Sequence, residues 1–261
     1  MSTCILIPAR YQSQRFPGKP LAMLSGADGS GKSLIQRTWE AACASADDAD
    51  VHVVTDDTRI ADAARAFGAD VLMTPADCRN GTERCAAALA LLPHADMIVN
   101  LQGDSPLTPR GAIPALLDRL RDRPKACMST PMFRARDDVR ARLIADAAEG
   151  RVGGTCVLAD AEGRALYFSK HLLPFGVERD KEIPIYLHLG VYAYRREALM
   201  AYPGLTMSSA ERAEGLEQLR FLHAGMRVDA VEIDAPGAFW EVNNPEDVSI
   251  VEAALAAQGM S

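Results

Sequence analysis

Short apolar runs alternate with amphipathic stretches through the first half of the chain. That alternation predicts a parallel sheet with helical crossovers. Cys4–Ile7, Val51–Val54, Asp70–Met73 and Met97–Leu101 are too short for helices and apolar enough for buried strands. Pro8 should stop the first of them, because it brings no N–H to a ladder. Leu34–Ala44, Arg59–Phe67 and Gly81 to about Leu91 read as helices, the last with Thr82 as N-cap, and Arg110–Arg121 gives a fourth. The second half reads differently. Cys156–Leu158 and Ala165–Phe168 flank Gly163 as a hairpin, and Ile185–Tyr194 is rich in β-formers. Ser209–Leu222 is helical, with Leu216, Leu219, Phe221 and Leu222 as core positions, and Val228–Ile233 is a strand. Asn244-Pro245 opens a last helix over Val248–Ala257, with the proline at its first position. The expected fold is one α/β domain over 1–261. It has a Rossmann-like, mostly parallel sheet flanked by helices and an inserted β-rich subdomain at about 153–205.

The first strand opens into a loop that carries Arg10, Arg15 and Lys19 around Gly18. Arginine offers a planar fork, lysine a point charge, and glycine lets backbone N–H groups approach a ligand. A polyphosphate suits such a loop; a solvated basic turn is the plain alternative. In parallel sheets ligands sit at the carboxyl ends of the strands. Asp56-Asp57 and Gln102-Gly103-Asp104 follow two other strands in the same way.

Composition narrows the ligand. The net charge is −7, which disfavours a nucleic-acid surface and leaves a small anion as the partner of the local cations. The six cysteines are scattered without a C-x-x-C pair, as in a reducing, cytoplasmic setting. Met1-Ser2-Thr3 leads straight into the first strand, so no signal peptide is expected. No apolar run suggests a membrane span. A second phosphate motif competes: Gly26 to Ser33 fits G-x-x-x-x-G-K-[ST], the loop of P-loop kinases and NTPases. The strand before it, Leu21–Leu24, is short and leaves a proline, so a Gly/Ser turn between a short strand and a helix is preferred.

Seven segments, in order, carry a resemblance. Ile7–Arg10, Ser13, Arg15 and Pro17–Leu21 match IPAR-x-x-S-x-R-x-PGKPL. Thr55-Asp56-Asp57 matches A-T-D-D, Gly81-Thr82-Glu83-Arg84 matches S-G-T-E/D-R, and Asn100–Asp104 matches N-x-Q-G-D. Ala165–Ser169 matches A-L-Y-F-S, His188–Arg195 matches H-x-G-I-Y-x-Y-R, and Leu216–Arg220 matches L-E-Q-L-R. With these, the chain resembles the CMP-Kdo synthetase (3-deoxy-manno-octulosonate cytidylyltransferase) family. The resemblance implies a nucleotide-diphospho-sugar transferase-like fold and transfer of CMP from CTP to an acidic sugar, with release of pyrophosphate. It implies Lys19, Asp104 and Arg15 as catalytic residues. Pro8, Ala9, Arg10, Arg15, Lys19, Gly81, Thr82, Arg84, Gln102 and Gly103 would hold the nucleotide. His188, Tyr192, Glu217 and Gln218 would hold the anionic acceptor, and Asp104 and Asn243 would bind Mg²⁺. A cytoplasmic homodimer is also implied.

The chain departs from that pattern in places. Ser105 stands where the family has Glu in Q-G-D-E-P, and Cys156 where it has Lys in V-K-V-V. Asn243 stands at the second metal-binding Asp, in V-D-T-P, and brings a carbonyl without charge. The Gly26–Lys32 loop is longer than the family's N-G-K-P turn. Three alternatives follow: a cytidylyltransferase for a small phosphonate such as phosphonoformate, a P-loop kinase using Gly31-Lys32-Ser33, and a weakened CTP-binding interaction protein.

Overall fold

The apolar runs of the first half become strands, joined by helices whose ends are chemically marked. From β1 (Thr3–Ala9) the chain forms a small hairpin, β2 (Met23–Ser25) and β3 (Gly31–Ser33). It continues through α1 (Leu34–Cys43), β4 (Asp50–Thr55), α2 (Thr58–Ala66), β5 (Asp70–Met73), α3 (Gly81–Ala88) and β6 (Met97–Leu101). The computed structural model describes residues 2–13, 15–46, 48–234 and 241–261. The chain divides into two compact units, Met1–Pro114 with Pro236–Ser261, and Ala115–Ala235.

In the first unit the strands lie in the order β5-β4-β1-β6, every pair parallel. Ile5, Leu6 and Ile7 are fully buried at its centre, each such side chain contributing about 1.5–3 kcal/mol. Ser33, Asp57 and Asn80 cap α1, α2 and α3 with their side chains. Two expectations are corrected here. Asn80, not Thr82, is the N-cap of α3: its Oδ1 accepts from Glu83 N at 2.8 Å. Nor does Pro8 end β1, which runs on to Ala9. Pro8 pairs in register with Val54 of β4, whereas pairing with β6 has already stopped at Leu6. Its carbonyl points toward Gly103, on the β6 side. The missing N–H therefore falls where no ladder needs it.

The second unit opens within α4 (Ala112–Asp122) and contains β7 (Met128–Arg134), α5 (Asp137–Ala148), β8 (Cys156–Ala159) and β9 (Ala165–Ser169). It continues through β10 (Tyr186–His188), β11 (Val191–Arg195), α6 (Arg196–Ala201), α7 (Ser209–Glu214), α8 (Leu219–His223) and β12 (Val228–Glu232). Its strands are largely antiparallel: β7 pairs with β10 and β11, and β8 with β9 and β10, while β12 joins β7 in parallel. The β8–β9 hairpin turns through Gly163 at φ 82, as its sequence predicts. The helix expected over Ser209–Leu222 is instead two. Gly215 ends α7 in the left-handed region at φ 65, and Leu216 to Gln218 form a turn before α8. Of the four core positions expected there, Leu219 and Phe221 are buried and Leu216 and Leu222 are half-buried.

The chain then returns to the first unit in α9 (Asp247–Ala257). This helix starts two residues after Pro245, not on it. Leu24, Leu34, Leu107, Val242, Val251, Ala254 and Leu255 form one buried cluster that seats α9 on the β2–β3 hairpin.

Candidate active site

The carboxyl ends of β1 and β6 bring four predicted residues of the first unit together. A Cβ on Gly103 would stand 2.9 Å from the Pro8 carbonyl oxygen. One on Gly81 would stand 2.9 Å from Gln102 Nε2 and 3.2 Å from Pro8 Cγ. Gly103 therefore needs glycine for space, whereas at Gly81 the nearest atoms belong to the flexible end of Gln102. The backbone at the start of α3 and the end of β6 thus packs closely against Pro8 and Gln102. Gln102 is steadied by Asn100, whose Oδ1 accepts from Gln102 Nε2 at 3.2 Å. Asn100 is fully buried and its Nδ2 has no partner. Ala9 is buried at the strand end and Arg10 is exposed just beyond it. Thr82 is fully buried. Arg84 is 3% exposed; its guanidinium donates to Thr74 Oγ1 at 2.7 Å and pairs with Asp56 Oδ1 at 3.0 Å. That holds a fixed cation at the ends of β4 and β5.

The basic loop is folded back on itself. Gly18 sits at φ 73 and donates its N–H to Tyr11 O at 2.9 Å; a Cβ there would lie 3.2 Å from the Tyr11 ring. The Arg59 guanidinium lies 3.3 Å from the centre of that ring and bonds both oxygens of Asp57, at 2.9 and 2.6 Å. That fork holds the Asp57 carboxyl below its ordinary pKa. The loop is thereby tied to the head of α2 before any ligand binds.

Two of the loop's cations meet predicted metal residues. Lys19 Nζ lies 2.5 Å from Asp104 Oδ2, and Arg15 Nη2 donates to Asn243 Oδ1 at 3.0 Å. Val242 N–H donates to the Asp104 carbonyl at 3.1 Å, so the segment bearing Asn243 is bonded to the segment bearing Asp104. Ser105, one residue on, is fully buried with its hydroxyl unpartnered.

The predicted acceptor residues lie in the second unit. The His188 and Tyr192 rings are tilted at 38° with centres 5.4 Å apart, and Phe168 meets the His188 ring edge-on at 5.1 Å. Thr130 Oγ1 is 2.8 Å from both His188 Nε2 and the Val191 carbonyl. A carbonyl can only accept, so the hydroxyl donates to Val191 and receives the proton of Nε2. This assigns the Nε2–H tautomer. Burial among these rings pushes the His188 pKa down to about 3. Gln218 is 1% exposed, and its Nε2 lacks a partner; Glu217 is half-buried beside it in the turn after Gly215. Cys156 is buried, which pushes its thiol pKa up and leaves it a small apolar group.

Several supporting residues escaped the sequence: Asn100, Tyr11, Arg59, Thr74 and Thr130. The Asx spacing of Asp57 to Arg59 was a usable signal; the others meet partners far along the chain. The Gly26–Ser33 motif does not form a phosphate loop. It is the β2–β3 turn, and Lys32 Nζ is taken by Glu40 Oε2 at 2.9 Å and by the Ser261 carbonyl at 2.7 Å.

Comparison with known proteins gives the family. A match to the cytidylyltransferase family spans residues 4–228. The chain is 42% identical to the 3-deoxy-manno-octulosonate cytidylyltransferase of Maricaulis maris (strain MCS10), over 99% of both chains. It is 39% identical to the 8-amino-3,8-dideoxy-manno-octulosonate cytidylyltransferase of Shewanella piezotolerans (strain WP3 / JCM 13877), over 98% of this chain and 99% of that one. Among solved structures, a CMP:2-keto-3-deoxy-manno-octonic acid synthetase complexed with CTP superposes with a TM-score of 0.85 at 34% identity, covering 99% of this chain and 100% of the other. A fold shared end to end, with the basic loop meeting an acidic strand end, makes this chain a member of the CMP-Kdo synthetase family of cytidylyltransferases and a nucleotidyltransferase enzyme.

Proposed function

We propose that the protein transfers CMP from CTP to 3-deoxy-manno-octulosonate, with Mg²⁺, and releases pyrophosphate. One observation carries the reading: Lys19 and Asp104 are paired 2.5 Å apart at the open end of the β1–β6 strands. An incoming triphosphate competes for the lysine and frees the carboxylate. Arg10, Arg15 and Lys19 bind the phosphates, while Gly81, Gln102 and Gly103 admit the base and sugar. Arg84, fixed by Asp56 and Thr74, borders the nucleotide.

Among the described residues, no group of three or more His, Cys, Asp or Glu could hold a metal by itself. A single carboxylate suits Mg²⁺, which usually binds through one or two carboxylates plus substrate phosphates and water. The donor set therefore fits, with Asp104 as the protein's charged ligand. When bound, Mg²⁺ supplies charge neutralisation on the triphosphate. In the transfer, the acceptor hydroxyl oxygen bonds to the α-phosphorus, its proton passes to solvent, and the bond to the pyrophosphate oxygen breaks.

For the acceptor, the buried, unpartnered Nε2 of Gln218 favours a ligand with hydroxyl or carboxylate oxygens, such as a polyhydroxy acid. The acceptors in the names of both relatives support that class. The exposed apolar residues Phe175 at 90% and Leu166 at 51% support a homodimer, which light scattering tests. The six cysteines, scattered without a C-x-x-C pair, support a cytoplasmic setting.

Pyrophosphate release from CTP and Mg²⁺, with an acceptor panel, tests the reaction. Release that depends on 3-deoxy-manno-octulosonate is the expected result. Release only with the 8-amino sugar or only with phosphonoformate would replace the acceptor, and silence across the panel would end the reading.

A further inference from the structure

We infer that Asn243 is a positioning residue for Arg15, and that its neutrality keeps the Arg15 charge available to a nucleotide triphosphate even without a divalent cation. The inference rests on the reading above, in which Arg15 binds the phosphates of CTP.

Arg15 and Asn243 are 228 positions apart, yet Arg15 Nη2 donates to Asn243 Oδ1 at 3.0 Å. The backbone beneath Asn243 is held firmly. Asp247 Oδ2 accepts the N–H of Asn243 at 2.8 Å and that of Asn244 at 2.7 Å. Asp247 is only 8% exposed, and Val242 is fully buried with its N–H on the Asp104 carbonyl. The amide therefore projects from a turn clamped on both sides and offers the exposed Arg15 guanidinium a defined neutral acceptor.

The chemistry of the acceptor decides what Arg15 can still do. Lys19 faces the Asp104 carboxylate and Arg84 faces the Asp56 carboxylate. Arg15 faces a neutral amide. An amide oxygen orients the fork without cancelling its charge; a carboxylate would form a charge-assisted pair that the triphosphate must displace. A carboxylate would also set a second negative charge beside the phosphates, tolerable only with a cation between them. With Asn at this position, the site binds the free nucleotide through Arg15, and the cation acts mainly through Asp104.

The test is calorimetric titration of CTP into the full chain, once in EDTA and once in Mg²⁺. Wild type should bind in both. Asn243→Asp should weaken binding in EDTA by about tenfold or more, with most of the loss recovered in Mg²⁺. The same substitution in an Arg15→Ala background should show a smaller loss, because only the repulsion of the phosphates remains once there is no guanidinium to sequester. Asn243→Leu, which removes the acceptor and adds no charge, should weaken binding equally in both buffers. Thermal melts check that each variant is folded. If Asn243→Asp binds CTP in EDTA as wild type does, or if its penalty is unchanged without Arg15, the inference fails. If wild type binds no CTP even in Mg²⁺, the parent reading fails, and this inference with it.

Discussion

Lys19 Nζ and Asp104 Oδ2 are 2.5 Å apart, so the cation of the opening loop and the acid at the end of β6 neutralise each other in the free protein. Their side chains keep 15% and 22% of their exposure, enough for solvent to reach both and for a ligand to separate them. A partly exposed pair of this kind adds about 0–1 kcal/mol to stability. Its value is therefore in what it exchanges: a phosphate takes the lysine, and the carboxylate is released for a cation.

Asp104→Asn separates those two roles. Removing the charge should lower kcat by about 100-fold or more, the usual scale for a lost electrostatic contact in a transition state. CTP binding in EDTA should hold or tighten, because Lys19 loses its competing partner. Steady-state kinetics and calorimetry on one preparation check both halves. Near-normal turnover would refute the role given to Asp104.

Gly103 and Gly81 should respond differently to alanine. At Gly103 the new Cβ meets the Pro8 backbone oxygen at 2.9 Å, and a strand centred in the sheet cannot yield. A loss of about 1–3 kcal/mol is expected, the cost of overpacking. At Gly81 the Cβ meets the amide end of Gln102, which can swing aside. Gly81→Ala should keep its melting temperature within about 2 °C of wild type and raise KM for CTP. Thermal melts paired with KM values distinguish the two; an equal loss of stability would contradict the packing described.

The first unit was legible because its central strands β1 and β6 are buried on both faces and read as plain apolar runs, such as Ile5-Leu6-Ile7. β7 was not, because Ser129 and Thr130 interrupt its apolar pattern. Both are fully buried, their hydroxyls donating to the carbonyls of Leu116 and Val191, so their burial leaves no hydrophobic signature. α5 was missed for the opposite reason: only Leu143 on it is buried, too little to make a stripe. In the site, the cations of the opening loop could be read from their chemistry. Their partners could not, since Asp104 and Asn243 are 85 and 228 positions away. Motif resemblance supplied the residue names, and only the fold shows that Arg15 and Asn243 touch.

Lys32→Ala tests the motif that the fold sets aside. Lys32 is tied to Glu40 and to the Ser261 carbonyl, with side-chain exposures of 26% and 35% for the ion pair. Losing it should cost about 0–1 kcal/mol, shift the melting temperature slightly and leave kcat for CMP transfer intact. A folded variant without turnover would bring back the phosphate-loop reading.

His188 gives a pH dependence with a definite sign. Its pKa is pushed from 6.5 down to about 3 in the folded protein, because the packing of Phe168 and Tyr192 withdraws water from the ring. Between those values the unfolded chain binds a proton that the folded chain refuses. Stability therefore rises with pH from about 3 to about 6.5 on this account, and is flat above it. Acidification costs stability at up to about 1.4 kcal/mol per pH unit from this one group. His188→Gln keeps a donor for Thr130 and removes the titration. The variant should be less stable than wild type near neutral pH, with the gap narrowing as pH falls toward about 5. Urea unfolding of both proteins across that range measures the gap. A constant gap would mean that the imidazole accepts its proton in the folded state as freely as in water, and that the neutral, Thr130-bonded His188 described here is wrong.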